Sequence, residues 1–284
     1  LIEQYINKIS SNNEYGELEW IKTFGGSGYD EANDIIETSD GGFLFVGNSS
    51  SDDFDLKNIN KGRNDILIVK LNKDGSLDWT KSYGGSEEDR ANSIALTKDG
   101  GYIVTGYTVS TDGDLTLDGN KGGDDIWVMK LFSTGEIDWS RTYGGSSFER
   151  SNSVIETSDG GLVVAGFTNS NDGELKDLGN KGQTDAWILK LHNNGDINWS
   201  KTYGGQDMDN IKSIIVVDNC APDLHRELTN LCKSNSTARI LTVEYDVRED
   251  QPEQTEVYTL EPSSSALIEA MISSRFPHLS KQTA

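Results

Sequence analysis

The sequence predicts a mainly β chain built from repeated four-stranded units, with a small α/β segment behind them. Three observations predict it. Trp79, Trp139 and Trp199 recur at intervals of 60 residues, and Trp20 stands 59 before the first. Each is followed by an aromatic residue and two glycines: Phe24-Gly25-Gly26, Tyr83-Gly84-Gly85, Tyr143-Gly144-Gly145 and Tyr203-Gly204-Gly205. Residue usage then changes abruptly, because all six Trp and the last glycine lie at or before Gly205, whereas all four Pro and both Cys come after it. A fixed period of this length marks a repeat architecture, in which no unit can bury its apolar face alone and neighbours must stack. The change in usage divides the chain into a repeat part, 1–213, and a second part, 214–284.

One unit reads as follows. Leu77-Asp78-Trp79-Thr80-Lys81-Ser82-Tyr83 alternates apolar and polar, as a half-buried strand does, and Gly84-Gly85 breaks it. Ala91 to Leu96 forms a second short strand. Asp99-Gly100-Gly101 signals a tight turn into a third, Tyr102-Ile103-Val104-Thr105-Gly106. A polar loop from Ser110 to Asp124 leads to Asp125-Ile126-Trp127-Val128-Met129-Lys130-Leu131, apolar on both faces and therefore buried. The turn recurs as Asp40-Gly41-Gly42 and Asp159-Gly160-Gly161, and the buried strand as Asp65–Leu71 and Asp185–Leu191. The units therefore run over 18–71, 77–131 and 137–191, with a partial one over 197–214. Tyr5 to Ile9 is a worn copy of the buried strand from a preceding unit. Four short antiparallel strands per unit make a propeller blade, so three to four units make an incomplete β-propeller. Its unpaired strand edge invites self-association.

Charge narrows the partners. A net charge of −22 and a pI near 4.4 exclude the basic face that nucleic acid or an anionic membrane requires. No apolar run approaches the roughly 20 residues of a membrane helix, and Leu1-Ile2-Glu3-Gln4 lacks the basic head of a secretory signal. Cys220 and Cys232 read as free thiols of an intracellular segment rather than a disulfide framework.

Several residues in the repeats invite a chemical role. The loops Ser110-Thr111-Asp112-Gly113-Asp114 and Ser170-Asn171-Asp172-Gly173-Glu174 place oxygen ligands at alternate positions around a glycine, a pattern that suits Ca²⁺. The competing reading of Asp112, Asp114, Asp172 and Glu174 is as turn residues that reverse the chain. Asp65, Asp125 and Asp185 open the buried strands. They either ring a central channel or, as the favoured reading has it, accept backbone N–H bonds and fix the preceding loop. The repeated Trp residues either stack on sugars or pack between blades. His192 is the one histidine in the repeats and has no repeat equivalents, so no hydrolytic triad emerges.

Two resemblances follow from these motifs. Residues 4–214, with their Phe/Tyr-Gly-Gly, Asp-Gly-Gly and Asp-x-Trp-Val-x-Lys-Leu text, resemble the bacterial β-propeller repeats of large secreted or surface proteins. That resemblance implies a propeller, an extracellular or cell-surface setting and no chemistry. In the tail, Ile214-Ile215-Val216-Val217 reads as a buried parallel strand ending at Asp218. Pro222 opens a helix with Leu224, Leu228 and Leu231 on one face, Ile240–Tyr245 is a second strand and Val257–Leu260 a third. A further helix with Leu267, Ile268, Met271 and Ile272 inward is capped by Ser263 or Ser264. This βαβ order resembles the middle of STAND-type NTPases, the signalling ATPases found among bacterial antiviral proteins. The resemblance implies that Asp218 is the Walker B acid, that Leu241–Tyr245 is the sensor strand and that Leu260-Glu261-Pro262-Ser263 leads into the next subdomain. Yet no G-x-x-x-x-G-K-[ST] occurs in the sequence, so ATP and Mg²⁺ lack a phosphate cradle and Asp218 or Asn219 serves equally as a helix cap. The expectation is a non-catalytic propeller module that binds protein or glycan without a cofactor. The alternative is a remnant of an ATP-dependent signalling protein, or a chimera with no joint function.

Overall fold

In a computed structural model of the protein, the described residues are 7–12, 18–115, 119–204, 213–218 and 238–243. The chain divides into two units, Leu1–Asp207 and Met208–Ala284. In the first, β1 (Asn7–Asn12) and β2 (Leu18–Phe24) form an antiparallel pair. Three four-stranded antiparallel sheets follow, each a meander in chain order. They comprise β3 (Asp30–Glu37), β4 (Phe43–Ser49), β5 (Asp65–Leu71) and β6 (Leu77–Tyr83); then β7 (Asp89–Leu96), β8 (Tyr102–Thr108), β9 (Asp125–Leu131) and β10 (Ile137–Tyr143); then β11 (Glu149–Glu156), β12 (Leu162–Thr168), β13 (Asp185–Leu191) and β14 (Ile197–Tyr203). In the second unit, β15 (Ser213–Asp218) pairs in parallel with β16 (Ala238–Val243).

The period is the one the sequence sets, but its phase differs. The tryptophan strand closes each sheet instead of opening the next. Its pairing runs back across a short hairpin, with Leu77 opposite Leu71 and Tyr83 opposite Ile66, and Asn72 N–H bonds Ser76 C=O at the turn. The sheets therefore span 30–83, 89–143 and 149–203, not 18–71, 77–131 and 137–191. Gly75, Gly135 and Gly195 mark these hairpins, a turn signal outweighed in the sequence by the louder Gly-Gly pairs. The pair β1–β2 repeats the outer half of a sheet, since Asn7 opposes Phe24 as Ile66 opposes Tyr83. Ser213-Ile214, read as the end of the partial fourth unit, lie in β15.

The core lies between consecutive sheets. The central strands β5, β9 and β13 are buried at every position, whereas the closing strands are half-exposed. One cluster joins Val46, Ile66 and Ile68 of the first sheet to Ile94, Val104, Trp127 and Met129 of the second. Another joins Ile126 and Val128 of the second to Val154, Val164, Trp187 and Leu189 of the third. Phe24 and Trp20 of β2 cover Phe45, Leu67 and Val69. Each such side chain contributes about 1.5–3 kcal/mol by leaving water, a gain no isolated sheet would realise.

The opening strands lie against one another and carry the polar stitches. Each has a β-bulge at an asparagine, between Ala32 and Asp34, Ala91 and Ser93, and Ser151 and Ser153. A bulge adds one unpaired residue and re-aims its side chain. Here it turns Asn33 Nδ2 to the carbonyl of Ala91 and Asn92 Nδ2 to that of Ser151, both at 2.7 Å. Asp34 Oδ2 accepts the Ile94 N–H at 2.9 Å. Opposite the bulge the strands come so close that a β-carbon on Gly106 would lie 1.8 Å from the Arg90 carbonyl oxygen. Two outcomes follow in urea unfolding of the full chain. Gly106→Ala forces the bulge open and costs about 1–3 kcal/mol. Asn92→Ala leaves the buried Ser151 carbonyl unmet and costs a similar amount, about 1–3 kcal/mol.

Candidate functional site

The Gly-Gly turns present consecutive backbone N–H groups on one side, an arrangement that gathers negative charge. The chain supplies that charge itself. Gly84 N donates to Asp114 Oδ2 (3.0 Å), Gly85 N to Asp89 Oδ2 (2.8 Å), Ser86 N to Asp112 Oδ1 (2.7 Å) and Glu87 N to Ser110 Oγ (3.0 Å). One repeat later, Gly144 N donates to Glu174 Oε2 (3.0 Å), Gly145 N to Glu149 Oε2 (2.8 Å), Ser146 N to Asp172 Oδ1 (2.7 Å) and Ser147 N to Ser170 Oγ (2.8 Å). Lys61 Nζ reaches Asp114 Oδ2 at 2.5 Å and Lys121 Nζ reaches Glu174 Oε1 at 2.5 Å. The four acids that the sequence offers to Ca²⁺ are thus acceptors for backbone N–H groups and lysine, binding one sheet's loop to the turn before it. Among the described residues, no group of three or more His, Cys, Asp or Glu is placed to hold a metal ion.

The aromatic residues belong to the same junctions. The Tyr83 hydroxyl donates to the Gly135 carbonyl, and that of Tyr143 to the Gly195 carbonyl at 2.5 Å. Trp20, Trp79 and Trp139 lie over the hairpin glycines Gly75, Gly135 and Gly195 of the following sheet. They pack between sheets, one of the two roles the sequence allows them. Trp127 and Trp187 are buried, with their indole N–H groups on Ser140 and Ser200.

Asp65, Asp125 and Asp185 are fully buried where β5, β9 and β13 begin. One oxygen of each accepts a backbone N–H, from Lys61, from Lys121 at 2.7 Å and from Lys181 at 2.8 Å, and so fixes the preceding loop. In all three the other oxygen, Oδ1, has no hydrogen-bond partner. Burial pushes Asp65 up to about 6 and Asp125 up to about 7, with Asp89 and Glu149 respectively adding like charge.

A signal that sequence reading passed over is the lysine inside each otherwise apolar central strand. Lys70, Lys130 and Lys190 are buried and pair with Asp40, Asp99 and Asp159 of the Asp-Gly-Gly turns. Thr38, Thr97 and Thr157 bond the same carboxylates at 2.5 Å. His192 sits exposed in a hairpin. Asp218 ends β15 in register with Val243; its side chain lies outside what the structure describes.

Lys130 and Thr97 hold Asp99 well below the usual carboxylate range, at about 2. Its contribution to stability is therefore present above 3.8 and lost as pH falls through about 2. Asp99 is 55 % exposed on its side chain while Lys130 is 5 % exposed, so the two ends of the pair are unequal. Asp99→Ala takes the counter-charge from a buried ammonium that keeps the Asn193 amide oxygen and costs about 1–3 kcal/mol, whereas Lys130→Met leaves a solvated carboxylate and costs under about 1 kcal/mol. Tryptophan-fluorescence melts of both variants check the asymmetry.

No family model matches the chain, and no curated protein matches it. Among solved structures it is similar to a protein of unknown function from Bacteroides caccae, at 14 % identity over 68 % of this chain and 74 % of that one, with a TM-score of 0.26.

Proposed function

We propose that the repeats form a β-propeller-type array that acts as a non-catalytic binding module at the cell surface, and that it takes a glycan at the junction between β1–β2 and the first sheet. Successive four-stranded meanders whose opening strands adjoin support the propeller reading. The observation that carries the binding reading is a cleft of about 840 Å³ lined by Trp20, Asp40, Asn72, Lys73, Asp74 and Ser76. At later junctions the equivalent space is crossed by Lys81–Glu136, by Arg141–Asp196 at 3.0 Å and by the Trp139 indole N–H on the Asn193 carbonyl at 2.9 Å. Ser76 stands where Glu136 and Asp196 stand, so the first junction lacks that bridge. A lining of amide, hydroxyl, ammonium and carboxylate groups beside an indole edge matches the alternating donors and acceptors of sugar hydroxyls.

A second reading rests on the parallel pairing of β15 and β16 with Asp218 at the end of the first strand. It treats 214–284 as the remnant of an ATP-dependent signalling protein, without the glycine-rich phosphate loop in this sequence. Glycan microarrays followed by calorimetry on the full chain separate the two. The first reading expects saturable glycan binding that Asp74→Ala and Asn72→Ala weaken at least about tenfold, a loss of about 1.4 kcal/mol. Absence of any glycan binding, together with ATP binding that Asp218→Ala abolishes, overturns it in favour of the second.

A further inference from the structure

At the two junctions between four-stranded sheets, two carboxyl groups from neighbouring sheets meet beside one glycine. Beside Gly84 they are Asp65, which opens β5, and Asp89, which opens β7. A β-carbon on Gly84 would lie 2.5 Å from Asp65 Oδ1 and 2.7 Å from Asp89 Oδ2. Beside Gly144 the pair is Asp125 of β9 and Glu149 of β11, whose Oδ1 and Oε2 would lie 2.3 and 2.7 Å from a β-carbon on that glycine. All four acids are fully buried.

Their hydrogen bonds are unequal. Asp89 accepts from Gly85 N, Ser110 Oγ and Thr108 Oγ1. Glu149 accepts from Gly145 N, Thr168 Oγ1 and Ser170 N. Asp65 Oδ1 and Asp125 Oδ1 face them with no donor at all. Around Asp65 stand Lys61, Ser82 and Asp89; around Asp125 stand Lys121, Glu149 and Glu174. Each lysine is already shared with the loop acid, Asp114 or Glu174. Three acids thus meet one cation at both junctions, and a buried carboxylate oxygen is left bare beside a second negative charge. Unpaired charge in such a place is costly, and a carboxyl group relieves it by accepting a proton.

We propose that both junctions between four-stranded sheets are proton-binding sites. One proton from solvent forms an O–H bond on the Asp65–Asp89 pair and another on the Asp125–Glu149 pair, and their uptake clamps adjacent sheets together. Asp125 and Asp65 titrate near 7 and 6, so the clamp sets across neutral pH. The folded chain holds these protons more tightly than the unfolded chain, whose aspartates titrate near 3.8. Stability therefore rises as pH falls through about 7 and then 6, and the gain is complete near 3.8.

The test uses the full chain, with carbon-13 NMR of the aspartate carboxyl carbons and urea midpoints between about pH 5 and 8.5. The expected result is titration of Asp125 and Asp65 near 7 and 6. Glu149→Gln, which removes the facing charge, is expected to weaken proton binding at Asp125 roughly tenfold. The double variant Asp65→Asn/Asp125→Asn, whose amides can donate to the facing acids, is expected to be more stable than the parent at about pH 8 and to lose the slope above about pH 5.5. Carboxyl midpoints below about pH 5 in the parent chain overturn the proposal even if a variant does not fold. So does a divalent cation that raises parent stability at about pH 8 and leaves the double variant unmoved, because the pair would then be a metal site.

Discussion

A β-strand that is apolar on both faces cannot be stable in a sheet standing alone, and the rest of the structure answers to that constraint. Ile66 to Leu71, Ile126 to Leu131 and Ala186 to Leu191 are buried at every position. The side chains on each face need a second sheet over them, so the array is held by what lies between its members. Hydrophobic burial supplies the drive and is non-directional. It does not decide how one sheet is turned relative to the next. That task falls to directional contacts: the bulged asparagines, the tyrosine hydroxyls on hairpin carbonyls and the loop acids on the Gly-Gly turns.

Those loop acids also show how one structural requirement can share its spacing with a binding motif. A turn with its N–H groups aligned needs acceptors, and side-chain carboxylates at alternate positions of the neighbouring loop meet that need. The spacing matches a calcium loop because both tasks want oxygen atoms converging on a small electropositive target. What differs is the target, a row of amides and a lysine head group. The buried Lys–Asp pairs follow similar logic on the opposite side of the sheet, where a long stem lies among apolar neighbours and its ammonium surfaces at a turn.

How much was legible follows from which contacts are local. Period, strand number and the buried central strands could be read because they depend on residues close in sequence, as in Asp125-Ile126-Trp127-Val128. The phase was misread because the Trp79 strand alternates well by itself, and only its pairing across Asn72–Ser76 reveals which sheet owns it. The role of Asp65 as an acceptor for a preceding loop was legible from its place at a strand start. Its bare second oxygen was not, because that depends on Gly84 and Asp89, which arrive from the next sheet. Nor did text alone separate the open first junction from the bridged later ones. That distinction rests on one residue, Ser76, in a position where charge elsewhere completes the contact.

Four of the cross-sheet bonds share one arithmetic property. Lys61 meets Asp114, Tyr83 meets Gly135, Asn33 meets Ala91 and Asp34 meets Ile94, at separations of 53, 52, 58 and 60 residues. Each spans about one repeat, so every module carries a plug for its successor and a socket for its predecessor. Tandem duplication or loss of a whole module leaves all joints matched, whereas an insertion of a few residues within one breaks several at once. Such a gene can lengthen or shorten by recombination in steps of roughly 60 codons without first evolving a new interface.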